Sequence, residues 1–172
     1  MAKLPRFGKK RTSFFVLLST FCTFARNFIA QDNMTLKDLL NQNDRFAAVN
    51  GIQLTEVREG FARAEMTVGK DHLNGGNVCQ GGALFTLADL AFAAVTNSHG
   101  HLSFGVQSSI TFSQSARLGD HLVAECVETF PHHRLPYCEV KVHNQEGKLI
   151  CSFTGMAYSK SDQTLPLENV KG

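Results

Sequence analysis

The chain has 172 residues, 43% hydrophobic and 19% charged, a composition that fits one globular domain with a core of its own. Its formal charge of +2 is unevenly placed: residues 1–31 hold six basic residues (Lys3, Arg6, Lys9, Lys10, Arg11, Arg26) and no acid, whereas residues 34–172 hold 11 basic and 14 acidic ones. A mildly acidic domain without a basic stripe argues against nucleic acid as a partner.

The five cysteines (Cys22, Cys79, Cys126, Cys138, Cys151) are odd in number and lack CxxC spacing, so they read as reduced thiols without a disulfide framework. None of the seven histidines sits in HExxH or alternates with cysteine at a ligand spacing, so no metal is expected.

The N-terminus has a basic head, then an uncharged run from Thr12 to Ala25, then Arg26. That run is shorter than the roughly 20 apolar residues of a membrane-spanning helix. It resembles a signal peptide with Thr23-Phe24-Ala25 as a cleavage site. It also reads as an upstream extension or a misassigned translation start, because Met34 is followed directly by an amphipathic segment. The expected division is an extension over 1–33, one domain over 34–160 and a flexible tail over 161–172. The expected location is cytoplasmic, with export left open by the signal-like segment, and no stable membrane insertion is expected.

Thr35 is placed to cap a helix over Leu36–Phe46, with Asp38 completing the capping box. Asn50-Gly51 ends it. Strands follow at Ile52–Val57 and Phe61–Val68, joined by a hairpin at Glu59-Gly60. In the second, Ala62, Ala64, Met66 and Val68 alternate with polar residues, which gives one core face.

Ala83–Val95 then forms an apolar helix, with small residues at Ala83, Ala88, Ala91, Ala93 and Ala94 that allow close packing. Phe104, Val106, Ser108, Ile110 and Phe112 are expected on one face of a third strand. His121–Phe130, Pro136–His143 and Lys148–Tyr158 complete the set, with turns at Gly119-Asp120 and Glu146-Gly147. The order implies an α+β fold in which one long helix is wrapped by a curved antiparallel sheet.

The chemistry concentrates in Asn74–Asn97. Asn74–Gly82 is a polar loop with four glycines, and Asp89 is the only Asp, Glu, Lys or Arg between Asp71 and Arg117. A carboxylate buried in an all-apolar helix costs several kcal/mol unless something offsets it. It either serves chemistry or pairs with a neighbour. Gly81 and Gly82, at the helix start, would offer backbone N–H groups that bind a developing oxyanion, or would simply shape a tight turn. Asp89 lies seven or eight residues further on, roughly 10 Å away, too far for one small group to touch both within one subunit. A homodimer is therefore implied if both act on one substrate, with Asp89 as general base or nucleophile. The loop matches neither a P-loop nor a GxGxxG dinucleotide motif.

The pattern LNG-x-x-x-C-x-GG-x-LF-x-LAD-x-AFA-x-x-x-NS-x-G, read from Leu73 to Gly100, resembles hot-dog-fold acyl-CoA thioesterases of the phenylacetic-acid-pathway (PaaI-like) family. The likeness runs from about residue 36 to 158. It implies a hot-dog fold in homodimers, usually paired into homotetramers, that hydrolyses acyl-CoA without metal or cofactor. By position it makes Asp89 the catalytic carboxylate, Gly81 the carbonyl-polarising glycine and Asn74 the amide that orients water or substrate. Gln80 stands where the family commonly has histidine and cannot titrate. Gln80 and Gly82 are carried as substrate-binding positions. Ala93 offers no hydroxyl where some hot-dog thioesterases have threonine. Arg134, with His132 or His133, is a candidate for the CoA nucleotide, and Arg117 is a second. Two other readings remain: an acyl-CoA hydratase or dehydratase, which the missing histidine disfavours, and a non-catalytic acyl-CoA-binding module.

Overall fold

The computed structural model describes residues 34–165. The expectations for residues 1–33, and for the part of the 161–172 tail beyond residue 165, lie outside the described residues; the first part of that tail, to Thr164, is strand and not flexible coil.

Two short helices, α1 (Leu36–Asn43) and α2 (Arg45–Val49), precede β1 (Gln53–Arg58) and β2 (Phe61–Thr67). The long helix α3 (Gly81–Asn97) follows a brief 3-10 turn at Lys70–His72. Then come β3 (His101–Phe112), β4 (His121–Phe130), β5 (Tyr137–Asn144) and β6 (Leu149–Thr164). The six strands form one sheet in the order β1-β2-β4-β5-β6-β3, with antiparallel neighbours throughout. This is the expected single helix against a single antiparallel sheet. Among the described residues no helix is long and apolar enough to cross a membrane.

Thr35 and Asp38 form the expected reciprocal cap. The single helix expected over Leu36–Phe46 is instead broken at Asp44, whose side chain accepts the Ala47 N–H at 2.9 Å and starts α2 afresh. A residue that caps its own downstream amides competes with helix continuation, which explains the break. Asn41 then locks α1 to β1, donating to the Leu54 carbonyl at 3.0 Å and accepting the Leu54 N–H at 2.8 Å.

The core lies between α3 and the concave face of the sheet. Leu84, Leu87, Ala88, Ala91, Phe92, Ala94 and Val95 are buried against Ala62, Ala64, Leu122, Ala124, Val140 and Phe153. Phe92 is among the largest fully buried side chains. A Cβ on Gly155 would lie 3.0 Å from its ring, and one on Gly105 would lie 3.2 Å away. Glycine at those two strand positions makes room for the aromatic ring. At its far end α3 is closed by Asn97, which accepts the Ser103 N–H at 2.9 Å, and by Ser98. The Ser98 hydroxyl donates to the Val95 carbonyl at 2.7 Å and accepts the Gly60 N–H at 3.0 Å.

Two strand expectations need correction. In β3 the register with β6 shifts between Gly105 and Gln107, where Val106 bulges out. One extra residue reverses the parity of everything beyond it. Phe104 therefore faces outward opposite Tyr158, while Ile110 packs on the core and the Phe112 ring reaches the start of α3. The five residues expected on one face are split between two. The last strand also runs past Tyr158 to Thr164, because β3 begins early enough for His101 to pair with Thr164.

Candidate active site

The loop before α3 is held from both sides. The Cys79 N–H donates to the Ala116 carbonyl and the Gln80 N–H to the His72 carbonyl, both at 2.8 Å. Inside the loop, Asn74 Oδ1 accepts the N–H groups of Gly76 at 2.8 Å and Val78 at 3.4 Å. The Asn74 oxygen is thus spent on loop shape. Its exposed amide NH2 is without a partner among the described residues and remains for water or substrate.

Gln80 is the N-cap of α3, and its Oε1 accepts the N–H of Gly82. The two open donors expected at the helix start therefore reduce to one. Gly82 is already satisfied by ordinary N-capping, whereas the Gly81 N–H has no acceptor among the described residues. A Cβ at Gly81 would sit 2.9 Å from Cζ of the exposed Phe112 ring, so a side chain there requires that ring to move. Replacing Gln80 by alanine removes the cap and is expected to cost about 1 kcal/mol, read as a lowered denaturant midpoint with an unchanged slope.

The helix is not buried all round. Gly82, Thr86, Asp89 and Ala93 form a stripe that stays at least partly open in the single chain, and Asp89 is exposed. The penalty expected for burying this carboxylate is therefore not paid in full by one chain. Its surroundings are nonetheless dry enough to act: desolvation first, then the negative charge of Asp44, raises the Asp89 pKa above its ordinary value. Among the described residues the carboxylate has no hydrogen-bond partner or counter-ion.

One turn before Asp89, a cavity of about 510 Å³ runs beside the helix start, lined by Phe46, His72, Gln80, Gly82, Phe85 and Thr86. Its walls mix aromatic rings with a few polar groups. His72 and Phe85 carry no signal in the sequence, where an aromatic at helical spacing is indistinguishable from core and a lone histidine carries no motif. Phe46, which helical spacing puts on the packed face of the expected first helix, is exposed and lines the cavity instead.

His132, His133 and Arg134 lie in the β4–β5 loop, all exposed. His132 Nδ1 accepts the backbone N–H groups of Arg134 at 3.2 Å and Leu135 at 2.9 Å, so its ring shapes the turn. The Arg134 carbonyl accepts the Ser159 N–H, and the Ser159 hydroxyl meets that of Ser103, which Asn97 holds. The trio therefore sits at the Asn97 end of α3, away from Gly81. Arg117 lies nearer the helix start, one residue past Ala116, on a polar cavity of about 610 Å³ shared with Lys148 and Asp120. Within one chain, then, Asn74, Gln80, Gly81 and Gly82 come together, Asp89 stands further along the helix, and the 132–134 trio stands apart.

Residues 73–151 match the family model of the thioesterase superfamily. A protein of Archaeoglobus fulgidus with an esterase designation is 38% identical over 85% of this chain and 94% of its own length. The acyl-coenzyme A thioesterase PaaI of Escherichia coli is 34% identical over 68% of this chain and 84% of its own. The solved structure of E. coli PaaI superposes with a TM-score of 0.70 at 32% identity, covering 73% of this chain and 91% of that one. Extensive identity to two relatives and a shared backbone place the loop and helix described above in a known setting: the chain belongs to the thioesterase superfamily and has its hot-dog fold.

Proposed function

We propose that this protein hydrolyses acyl-CoA thioesters to the free acid and CoA, at a site shared between two copies of the chain. The observation that carries this reading is the pairing of a Gly81 N–H, next to the cavity that Gln80 and Gly82 line, with an Asp89 carboxylate on the open stripe, neither group having a partner among the described residues. The E. coli relative, an acyl-coenzyme A thioesterase, supports the substrate class.

In this reading the thioester carbonyl oxygen accepts the Gly81 N–H at the positive end of the α3 dipole. Asp89 of the other copy removes a proton from water, whose oxygen adds to the carbonyl carbon. The tetrahedral oxyanion collapses, the C–S bond breaks, and CoA leaves as a thiolate that takes up a proton. Direct attack by the carboxylate, through an anhydride, is the alternative role for Asp89; label from water found in Asp89 after a single turnover, placed there by attack at the aspartyl carbonyl, would establish it, since the general-base route leaves Asp89 unlabelled.

Two copies fit together along β3. It is an edge strand with Phe104 53% and Val106 59% exposed, the kind of edge that pairs unless something blocks it. A two-fold axis through that edge pairs β3 antiparallel with its copy. The Gly81 end of one helix then lies near the Asn97 end of the other, and the 132–134 loop of one chain near the other's Gly81. That is where the CoA nucleotide would sit. Arg134→Ala is accordingly expected to raise KM for acyl-CoA about tenfold, the scale of one charge-assisted contact, and to leave a pantetheine-only substrate unchanged. Pairing of such dimers into a tetramer is the further expectation, read by sedimentation.

The direct test is thiol release from a panel of short, medium and aryl acyl-CoAs. A wild type inert on every member sinks the proposal. Gln80, which cannot carry a proton, favours one other reading, a module that binds acyl-CoA without turnover; calorimetry showing tight binding with no hydrolysis would select it. A cytoplasmic location belongs to the same proposal. N-terminal sequencing of the protein from its native host tests it, since a mature end at Arg26 would indicate export.

A further inference from the structure

The cavity beside Gln80 contains one imidazole, and its orientation is set by the backbone. His72 ends the 3-10 turn, half-buried, and its Nδ1 accepts the N–H of Gly69 at 2.9 Å. Its carbonyl accepts the Gln80 N–H at 2.8 Å, which fastens the ring's own residue to the N-cap of α3. A backbone amide only donates, so Nδ1 must keep its lone pair, and the proton of the neutral ring sits on Nε2. Nε2–H has no acceptor among the described residues, and the ring lines the same cavity as Gln80, Gly82, Phe85 and Thr86.

We infer that His72 Nε2–H is a hydrogen-bond donor to the thioester end of the substrate in this cavity, a second donor beside the Gly81 N–H. The inference rests on the thioesterase reading above. Two other donors border this region, the amide NH2 groups of Gln80 and Asn74, whose oxygens are held by Gly82 and by the loop; His72 is the one whose donor the Gly69 N–H fixes from the far side of a rigid ring. A thioester offers only acceptors, its carbonyl oxygen and the departing sulfur, and negative charge grows on both during hydrolysis. A fixed N–H aimed at such a group stabilises it without reorganisation. The role is donation and not proton transfer. A neutral imidazole that surrendered its Nε2 proton would become an imidazolate, and the Gly69 N–H leaves Nδ1 no proton to supply instead. Hydrolysis therefore balances as above, with water supplying the proton that Asp89 removes.

Two amide replacements divide the ring into its halves. His72→Asn keeps an acceptor near the position of Nδ1 for the Gly69 N–H but has nothing at Nε2. His72→Gln loses that acceptor and places an amide NH2 near the position of Nε2. The expected result is that His72→Asn lowers kcat about 10- to 100-fold with KM changed little and melting unchanged, while His72→Gln keeps most of the activity. The reverse order, or an active His72→Asn, would show a purely structural ring and overturn the inference. A second measurement does not depend on turnover. The ¹⁵N–¹H resonance of His72 Nε2 in wild type is followed during titration with a non-hydrolysable acyl-CoA thioether carrying the acyl carbonyl. The inference requires the Nε2–H signal to shift on binding. A shift in a protein that hydrolyses no acyl-CoA would keep the Nε2–H contact to the bound acyl group and remove the thioesterase reading. Hydrolysis without any shift would do the opposite.

Discussion

Asp89→Asn is expected to lower kcat for acyl-CoA hydrolysis about 10²- to 10⁴-fold, the usual worth of a positioned general base, while acyl-CoA still binds. Asparagine matches the shape of the side chain and removes only its ability to take a proton. The pH dependence gives an independent signature. The carboxylate must be ionised to act, and its pKa stands above the ordinary aspartate value because of desolvation and of Asp44. The acidic limb of the kcat profile should therefore be displaced upward from that of an ordinary aspartate. Covering the open stripe with a second copy would move it further the same way.

Stability should respond in the opposite sense. A carboxyl whose folded pKa is raised destabilises the fold wherever it is ionised, so the wild type is penalised at neutral pH. The penalty fades as pH falls through the folded pKa towards the unfolded one. Asp89→Asn should accordingly melt higher than wild type at pH 7, with the difference vanishing in acid. A variant that keeps full activity, or that melts lower at neutral pH, would contradict the assigned role.

The second large effect is expected at Gly81. A simple alanine there meets the Phe112 ring and confounds crowding with chemistry. The informative comparison is made in a Phe112→Ala background, where Gly81→Ala and Gly81→Pro both carry a Cβ and only proline lacks the N–H. Proline is tolerated at the first position of a helix, and Gln80 before it has φ −69° and ψ 137°, a conformation that proline's predecessor favours. The proline variant should fold like the alanine variant and lose a further 10²- to 10³-fold in kcat, the usual cost of one oxyanion donor. Equal rates in the two would show that the carbonyl is polarised elsewhere.

Much of this architecture was legible in the residues, for identifiable reasons. Alternation in Ala62–Val68 and in Cys138–Val142 marks one-sided strands. The apolar run Ala83–Val95 marks the central helix, and the Leu73–Gly100 pattern marks the family. The failures are equally specific. The Val106 bulge leaves no compositional trace, since Phe104 to Phe112 alternate well enough for a straight strand. Asp44 ends α1 by capping α2, a competition between two local hydrogen bonds that helix periodicity does not report. The open stripe along Gly82, Thr86, Asp89 and Ala93 was hidden because glycine, threonine and alanine suit a packed interior and an uncovered groove alike. Gln80 and Asn74 were read as candidates facing substrate, yet each spends its oxygen on the loop or the helix start. His72 escaped notice altogether, because its tautomer is decided by the Gly69 amide and only the folded chain brings the two together.

The central claim is that Asp89 and Gly81 serve one reaction from two different chains, and subunit mixing tests it most directly. Asp89→Asn copies and Gly81→Pro/Phe112→Ala copies, each inactive alone, are mixed, exchanged and assayed on an acyl-CoA that the wild type hydrolyses. Random pairing makes half the dimers mixed, and each of those contains one site with both groups intact, so about a quarter of wild-type activity should return. Mixed dimers that demonstrably form but stay as inactive as their parents would contradict a site shared across the interface.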